Sequence, residues 1–203
     1  ELVSTVTRPL FQEVKMKAGI AKSKSGDPLA SLEMIEMVNL PSVDNPDGSN
    51  ITIRGLLPAG LEMRDHIRLQ AGRWFQPGKP ELVIGRSVAA RFPDAQIGRK
   101  IRLARNDWEI VGVMDAANTA ANSEMFADLN QMAAESNRTE ALSSILIRAV
   151  DPVAVAALVQ NLESDRKLNV FAQTEQAYYE SQSSSGAVFE YLGMFVAAIM
   201  AVG

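Results

Sequence analysis

The residues closest to a catalytic pattern are those of the run Gly85-Arg86-Ser87-Val88-Ala89. This run follows a predicted strand and precedes a predicted helix, as does the nucleophile elbow of serine hydrolases. Here, however, Ala89 replaces the final glycine, and the single histidine, His66, precedes the serine, against the usual chain order of that fold. We therefore interpret Ser87 as the cap of a short helix over residues 88–92 and keep a serine hydrolase as the minor alternative.

The remaining chemistry-bearing side chains do not form a constellation. Asp65 and His66 are neighbours in sequence, and such neighbours do not face each other on a helix, so His66 is predicted to be a partly exposed surface residue. Glu124, Asp128 and Glu135 lie on one predicted helix without complementary histidines. No phosphate-binding glycine motif occurs. We therefore assign no catalytic, metal or cofactor residue to this chain.

Composition narrows the functional class further. The 203 residues include no cysteine, which excludes disulfides, thiolate metal sites and cysteine nucleophiles. Residues 54–105 carry 11 Lys/Arg and 4 Asp/Glu, whereas residues 106–203 carry 4 and 13. We interpret the basic middle as a solvated arginine face that pairs with its acidic flanks, ahead of a surface for anionic lipid or an acidic partner. An acidic chain with only 6% aromatics also argues against nucleic-acid binding.

The most informative stretch, residues 72–113, supplies the elements that hold Ser87. It predicts strand, turn, buried strand, short helix and two further strands, with glycine or proline at each junction. We expect its glycines to serve turns and close packing rather than catalysis. The residues that define this structural motif are Gly72, Arg73, Phe75, Gly85, Ser87, Gly98 and Gly112.

On either side of this stretch the pattern predicts a mixed α/β protein. Alternating apolar residues over 32–40 and 51–57, separated by Asn45-Pro46-Asp47-Gly48, predict a hairpin or a meander. Met125, Leu129 and Met132 share one stripe of a predicted helix over 123–136. Residues 142–172 predict a β-α-β unit, whose helix begins at Asp151-Pro152.

The last residues have the profile of a membrane segment. From Val188 to Gly203, thirteen of sixteen residues are apolar, and Glu190 is the only charge. A continuous helix over 175–203, capped by Thr174, would be about 43 Å long and polar in its first half. We predict a stalk that enters a bilayer as a truncated transmembrane helix. Its stalk and membrane residues are Tyr178, Tyr179, Gln182, Phe189, Leu192 and Phe195. No signal peptide is predicted at the amino terminus.

Taken in order, these motifs resemble the periplasmic core domain of MacB-type, or FtsX-like, ABC transporter permeases. The resemblance is carried by motifs that follow one another along the chain. They are I-R-G-L-L-P at 53–58, G-R-W-F at 72–75, E-L-V-I-G-R-S-V-A at 81–89, the strands from Gly98 and Trp108, N-S-E-M-F-A-D-L at 122–129 and E-Q-A-Y-Y-E-S-Q at 175–182.

The resemblance implies an α+β domain with two lobes and a carboxy-terminal helix that enters the membrane. Residues 1–58 and 142–184 would form a discontinuous porter-like lobe, residues 59–141 a smaller inserted lobe, and residues 185–203 the start of the truncated transmembrane helix. The implied location is the periplasmic side of the inner membrane. The implied function is mechanotransmission during export, without enzymatic activity in this domain.

The resemblance also implies partners. ATP would be bound by a separate ABC ATPase subunit or domain, so no cofactor is expected here. A second permease copy would complete a dimer, and a periplasmic adaptor or lipoprotein is a further implied partner. A membrane-anchored ligand- or protein-binding domain unrelated to transport remains the alternative to an export permease, ahead of the hydrolase.

Overall fold

The structure is a computed structural model that describes residues 5–103, 105–140, 142–182 and 197–201. The described helices are α1 (Arg8–Val14), α2 (Pro58–Glu62), α3 (Arg86–Arg91), α4 (Leu129–Glu135), α5 (Ala154–Ser164) and α6 (Glu175–Gln182). The described strands are β1 (Ala30–Leu40), β2 (Ser49–Leu56), β3 (Arg68–Gly72), β4 (Glu81–Gly85), β5 (Lys100–Leu103), β6 (Asn106–Asp115), β7 (Glu124–Asp128), β8 (Ser144–Ile147), β9 (Val170–Thr174) and β10 (Ala197–Ala201).

The chain divides into two compact units, each discontinuous in sequence. The terminal unit consists of Glu1–Glu33, Pro58–Met63 and Glu140–Gly203, and the central unit consists of Met34–Leu57 and Arg64–Thr139. Residues 34–57, which we placed in the first predicted lobe, belong to the central unit in this division.

The central unit is built on a mixed sheet with the strand order β3-β6-β4-β7-β2-β1, and β5 also pairs with β6. β2 runs parallel to β7 and β4 runs parallel to β6, whereas β4 and β7 are antiparallel. The core-facing side chains include Trp108, Ile110 and Met114 of β6, each exposed by 1% or less. Over residues 72–113 the predicted turn, buried strand, short helix and two further strands are confirmed in that order, but the strand predicted at the start of this stretch is wrong, because β3 ends at Gly72 and residues 73–76 are not in a strand.

The terminal unit contains the predicted β-α-β arrangement. β8 and β9 each pair antiparallel with β10, so they run parallel to one another, with α5 as the connection between them. The first residues of β1 extend this sheet on the other side of β8, with Ala30 opposite Ile147. Leu158 and Leu162 of α5 are buried, as the helical spacing of these leucines predicts.

The predicted helix over 123–136 is wrong in its first part. Glu124–Asp128 is strand β7, and only Leu129–Glu135 is helical, as α4. All five residues of β7 are buried, so both faces of this strand are covered, and its two edges pair with β2 and β4. A fully buried strand shows no alternation of apolar and polar residues, so periodicity does not separate it from a buried helix.

The predicted helix over 175–203 also differs from the structure. Helix α6 is described over Glu175–Gln182, and Ala197–Ala201 is strand β10. A run of small apolar residues can form its backbone hydrogen bonds in a β-sheet as well as in a helix. Here the neighbouring strands β8 and β9 provide the hydrogen-bond partners of β10. In the part of the chain that the structure describes, no helix is long and apolar enough to cross a membrane. Residues 183–196 lie outside the described residues.

Candidate functional site

Ser87 lies inside helix α3 rather than at its cap. The helix begins at Arg86, so Gly85 occupies the cap position, and no side chain caps the first turn. Our interpretation of Ser87 as the cap is therefore wrong by two positions. Within the described residues, the Ser87 hydroxyl has no hydrogen-bond partner that would activate it as a nucleophile. His66 is half-buried in the turn before β3.

Close backbone approach explains two glycines of the motif. A Cβ atom built on Gly85 would lie 2.1 Å from the carbonyl oxygen of Asn122, and one built on Gly112 would lie 2.3 Å from that of Arg73. Any larger residue would collide with backbone at both positions. Gly72 at the end of β3 and Gly98 before β5 have positive φ angles of 73° and 84°. These glycines are packing and turn residues of the central unit.

Arg73 and Glu81 form a clamp between the strand β4 and the segment that follows β3. Two guanidinium nitrogens of Arg73 donate to the two carboxylate oxygens of Glu81, each at 2.7 Å. The backbone N–H of Gln76 donates to the same carboxylate at 2.9 Å. The hydrogen bond from Arg73 is the main reason why the pKa of Glu81 is lowered, against the opposing effect of burial. The intervening Phe75 is buried, so the clamp closes over an apolar side chain.

A second ion pair lies in the interior of the central unit. Arg54 of β2 donates to Glu124 of β7 through Nε at 2.8 Å and Nη2 at 2.9 Å. Burial favours a raised pKa for Glu124, but the charge and hydrogen bonds of Arg54, together with the charge of Arg64, lower that pKa overall. The Arg64 guanidinium also lies 5.7 Å from the centre of the Phe126 ring. Sequence reasoning missed this site, because Glu124 was placed on a helix and Arg54 was treated as a surface residue.

Asp128 joins the Pro77-Gly78 turn to helix α4. Its carboxylate accepts from the backbone N–H of Gln131 at 2.9 Å, which caps the helix, and from that of Gly78 at 3.2 Å. A short polar residue three positions before Gln131 is the signal that could have located this cap. Glu135, at the other end of α4, accepts from Asn106 and Gln131 side chains. The carboxylates predicted to share a helix face therefore have separate structural roles.

Acidic residues of the central unit balance the positive charge of the basic stretch over residues 54–105. Residues 34–57 and 64–139 together contain 12 Lys/Arg and 12 Asp/Glu, so the formal charge of the central unit is zero. Three exposed arginines pair with carboxylates from both acidic flanks: Arg86 with Asp115, Arg91 with Asp44 and Arg102 with Asp107. These three pairs agree with the predicted solvated arginine face, whereas Arg54 and Arg64 of the same stretch are buried, so the prediction is wrong for those two residues.

At the carboxy-terminal end, Thr174 caps α6 as predicted. Its hydroxyl accepts from the backbone N–H of Ala177 at 3.1 Å. Tyr178 is half-buried. The predicted stalk and membrane side chains of Tyr179, Gln182, Phe189, Leu192 and Phe195 lie outside the described side chains. Among the residues that are described, no group of three or more His, Cys, Asp or Glu side chains could hold a metal ion.

Comparisons with known proteins agree with this arrangement. Residues 11–165 match the family model described as "MacB-like periplasmic core domain". The extracellular domain of the noncanonic ABC-type transporter YknZ from Gram-positive bacteria is 16% identical, with a TM-score of 0.60 over 81% of this chain and 83% of that domain. The periplasmic region of MacB from Actinobacillus actinomycetemcomitans is 12% identical, with a TM-score of 0.56 over 80% and 75% of the two chains.

A domain of a putative permease protein from Porphyromonas gingivalis is 18% identical, with a TM-score of 0.50 over 98% of this chain and 81% of that one. At these identities the likeness to solved structures concerns the fold alone. None of the curated proteins matches the sequence significantly.

Proposed function

This chain belongs to the MacB-like periplasmic core domain family of ABC transporter permeases, and we propose that it couples ATP hydrolysis by a separate ATPase to the handling of a substrate or partner protein outside the inner membrane. The observation that carries the proposal is the family match over residues 11–165. That family consists of permease domains rather than enzymes, and the carboxylates Glu124, Asp128 and Glu135 have structural partners here.

The internal construction of the central unit supports a mechanical function. Its strands β2 and β7 are joined by a buried bidentate ion pair, Arg54 with Glu124, and the half-exposed Arg73 ties the segment after β3 to Glu81 of β4. Buried pairs of this kind add little net stability but penalise any rearrangement that separates them. A unit held in this way transmits a displacement without changing its own packing.

The proposed assembly follows the family. Two permease copies would form the transporter together with an ABC ATPase subunit or domain, and the stalk and membrane helices would be supplied by sequence around the described residues. The terminal unit would form the porter-like lobe and the central unit the inserted lobe. A periplasmic adaptor or lipoprotein would receive the motion of these lobes.

The proposal is tested with the complete permease and its ATPase, reconstituted together in nanodiscs. Replacing residues 5–182 with a short flexible linker should leave ATP hydrolysis measurable but abolish export or partner activation in cells. A matched control replaces only the exposed Val43 with Ser, which should retain both activities. Export that continues without residues 5–182, or a permease that binds no ATPase, would overturn the proposal.

A further inference from the structure

The methionines of this chain fall into two sharply separated groups. Of the nine methionines, seven have described side chains. Met16 is 76% exposed and Met37 is 53% exposed. The others are at most 3% exposed, and they are Met34, Met63, Met114, Met125 and Met132. No methionine of intermediate exposure lies among these seven. In the folded protein, dissolved oxidants can therefore reach the sulfur atoms of Met16 and Met37 but not those of the other five.

Both exposed positions are fixed by the fold. Met16 lies in the turn after α1, and its neighbour Lys17 is tied to Asp165 by an ion pair of 2.5 Å. Met37 lies on β1 in the same row as Asn39, whose side-chain amide donates to Asn50 at 3.1 Å. The exposure of each thioether is therefore a property of the folded chain.

Among the side chains that the structure describes, these two thioethers are the most accessible two-electron reductants. There is no cysteine to compete for oxidant. The family places this domain outside the cytoplasm, where oxidants reach it directly. The buried methionines, in contrast, pack the core: Met63 contacts the apolar cluster of Leu29 and Leu146. A polar sulfoxide there would disrupt packing, whereas at an exposed position it stays in water.

We propose that Met16 and Met37 are sites of reversible oxidation, which react with hydrogen peroxide in the folded protein while the buried methionines do not. The sulfur of each thioether attacks one peroxide oxygen, the O–O bond breaks, and water leaves as the S–O bond forms. The sulfur loses two electrons and the peroxide gains them. A methionine sulfoxide reductase, with its own thiol reductant, would return each sulfoxide to the thioether. This inference is independent of the proposed transport function.

The test is peptide mapping by mass spectrometry of the 203-residue chain after timed exposure to hydrogen peroxide. Met16 and Met37 should each gain one oxygen at least about tenfold faster than the buried methionines, because a buried thioether reacts only after local opening. The thermal midpoint should not change while only these two are oxidised. Equal rates across all seven residues, or an early loss of thermal stability, would overturn the proposal.

Two controls test whether burial causes the difference in oxidation rate between the two groups of methionines. In concentrated guanidinium chloride all the mapped methionines should react at similar rates, and a preference for Met16 and Met37 that persists there would contradict the structural explanation. The Met16→Leu/Met37→Leu variant should remain folded, since both positions are exposed. In the time that the native chain needs to gain one oxygen on each of Met16 and Met37, this variant should gain no oxygen at the buried methionines.

Discussion

Arg54 and Glu124 form a bidentate ion pair whose side chains are only 6% and 10% exposed. The two charges lie on parallel strands, β2 and β7, and Arg64 adds a further positive charge nearby. Charge pairs removed from water in this way are costly to break because each partner is left without compensation. The pair therefore fixes which strands of the central unit adjoin.

Replacing one partner should be more damaging than replacing both. Glu124→Gln removes the carboxylate that forms the buried bidentate pair with Arg54, and it should lower the free energy of unfolding by about 3–5 kcal/mol. The double variant Arg54→Met/Glu124→Leu should recover most of that loss. Urea unfolding at neutral pH measures both, and a double variant as unstable as Glu124→Gln would refute this explanation.

Acid should destabilise the chain through the two clamped carboxylates. The pKa values of Glu81 and Glu124 are lowered in the folded state, Glu81 chiefly by its hydrogen bond from Arg73. A lowered folded pKa gives stability that is fully present above the unfolded value of about 4.3 and is lost as the pH falls through the folded pKa. Unfolding midpoints between pH 7 and 3 should show this loss. Glu81→Gln should make the stability fall less steeply as the pH decreases from 5 to 3. If the stability of this variant falls as steeply as that of the native chain, Glu81 is not a source of the acid sensitivity.

Two glycine substitutions separate steric collision from backbone strain. Gly85→Ala places a Cβ against the carbonyl oxygens of Asn122 and Ala121, and it should cost about 3 kcal/mol or prevent folding. Gly98→Ala meets no atom within 4 Å but has a positive φ, so it should cost only about 1–2 kcal/mol. Chemical denaturation compares them; equal costs would argue against close packing at Gly85.

One residue that caps a helix, Asp128, and one that was wrongly predicted to cap a helix, Ser87, provide a matched pair of alanine variants. Asp128→Ala removes the hydrogen bonds to Gln131 and Gly78, and it should cost about 1–2 kcal/mol. Ser87→Ala removes no cap and should change stability by less than about 0.5 kcal/mol. Fluorophosphonate labelling of the native chain, absent in the Ser87→Ala variant, would revive the hydrolase alternative.

One substitution should stabilise the protein. Ala117 has a φ of 51°, a conformation that costs an L-residue about 1 kcal/mol and glycine almost nothing. Arg86 and Asn122 hold this residue in place by donating to its carbonyl oxygen at 3.1 and 2.5 Å. Ala117→Gly should therefore raise the thermal midpoint measured by calorimetry. A lower midpoint would mean that the entropy added to the unfolded chain outweighs the relief of strain.

The parts of the fold that the sequence predicted well are those with local signals. Strand β4 lies at the short apolar run bounded by Pro80 and Gly85, and Thr174 caps α6 as its residue type predicted. The hairpin of β1 and β2 forms around the predicted Asn45-Pro46-Asp47-Gly48 turn. Each of these depends on residues within a few positions of one another, so a single sequence carries the information.

The parts that were missed depend on contacts between distant residues. All five residues of strand β7 are buried, so parts of the chain that are distant in sequence cover both of its faces, and this removes the alternation that would reveal it. The pairing of Arg54 with Glu124 spans 70 positions. Strand β10 forms because β8 and β9 offer it two edges, which no local pattern indicates.

The central claim is that ATP moves this domain in the assembled permease. Because the chain has no cysteine, a Val43→Cys variant of an otherwise cysteine-free permease carries one spin label per copy on an exposed residue of the central unit. Pulsed electron paramagnetic resonance in nanodiscs measures the distance between the two labels. We predict that the distance distribution shifts between the nucleotide-free state and the ATP-bound state of a hydrolysis-deficient ATPase. Identical distributions, with nucleotide occupancy verified, would contradict the account.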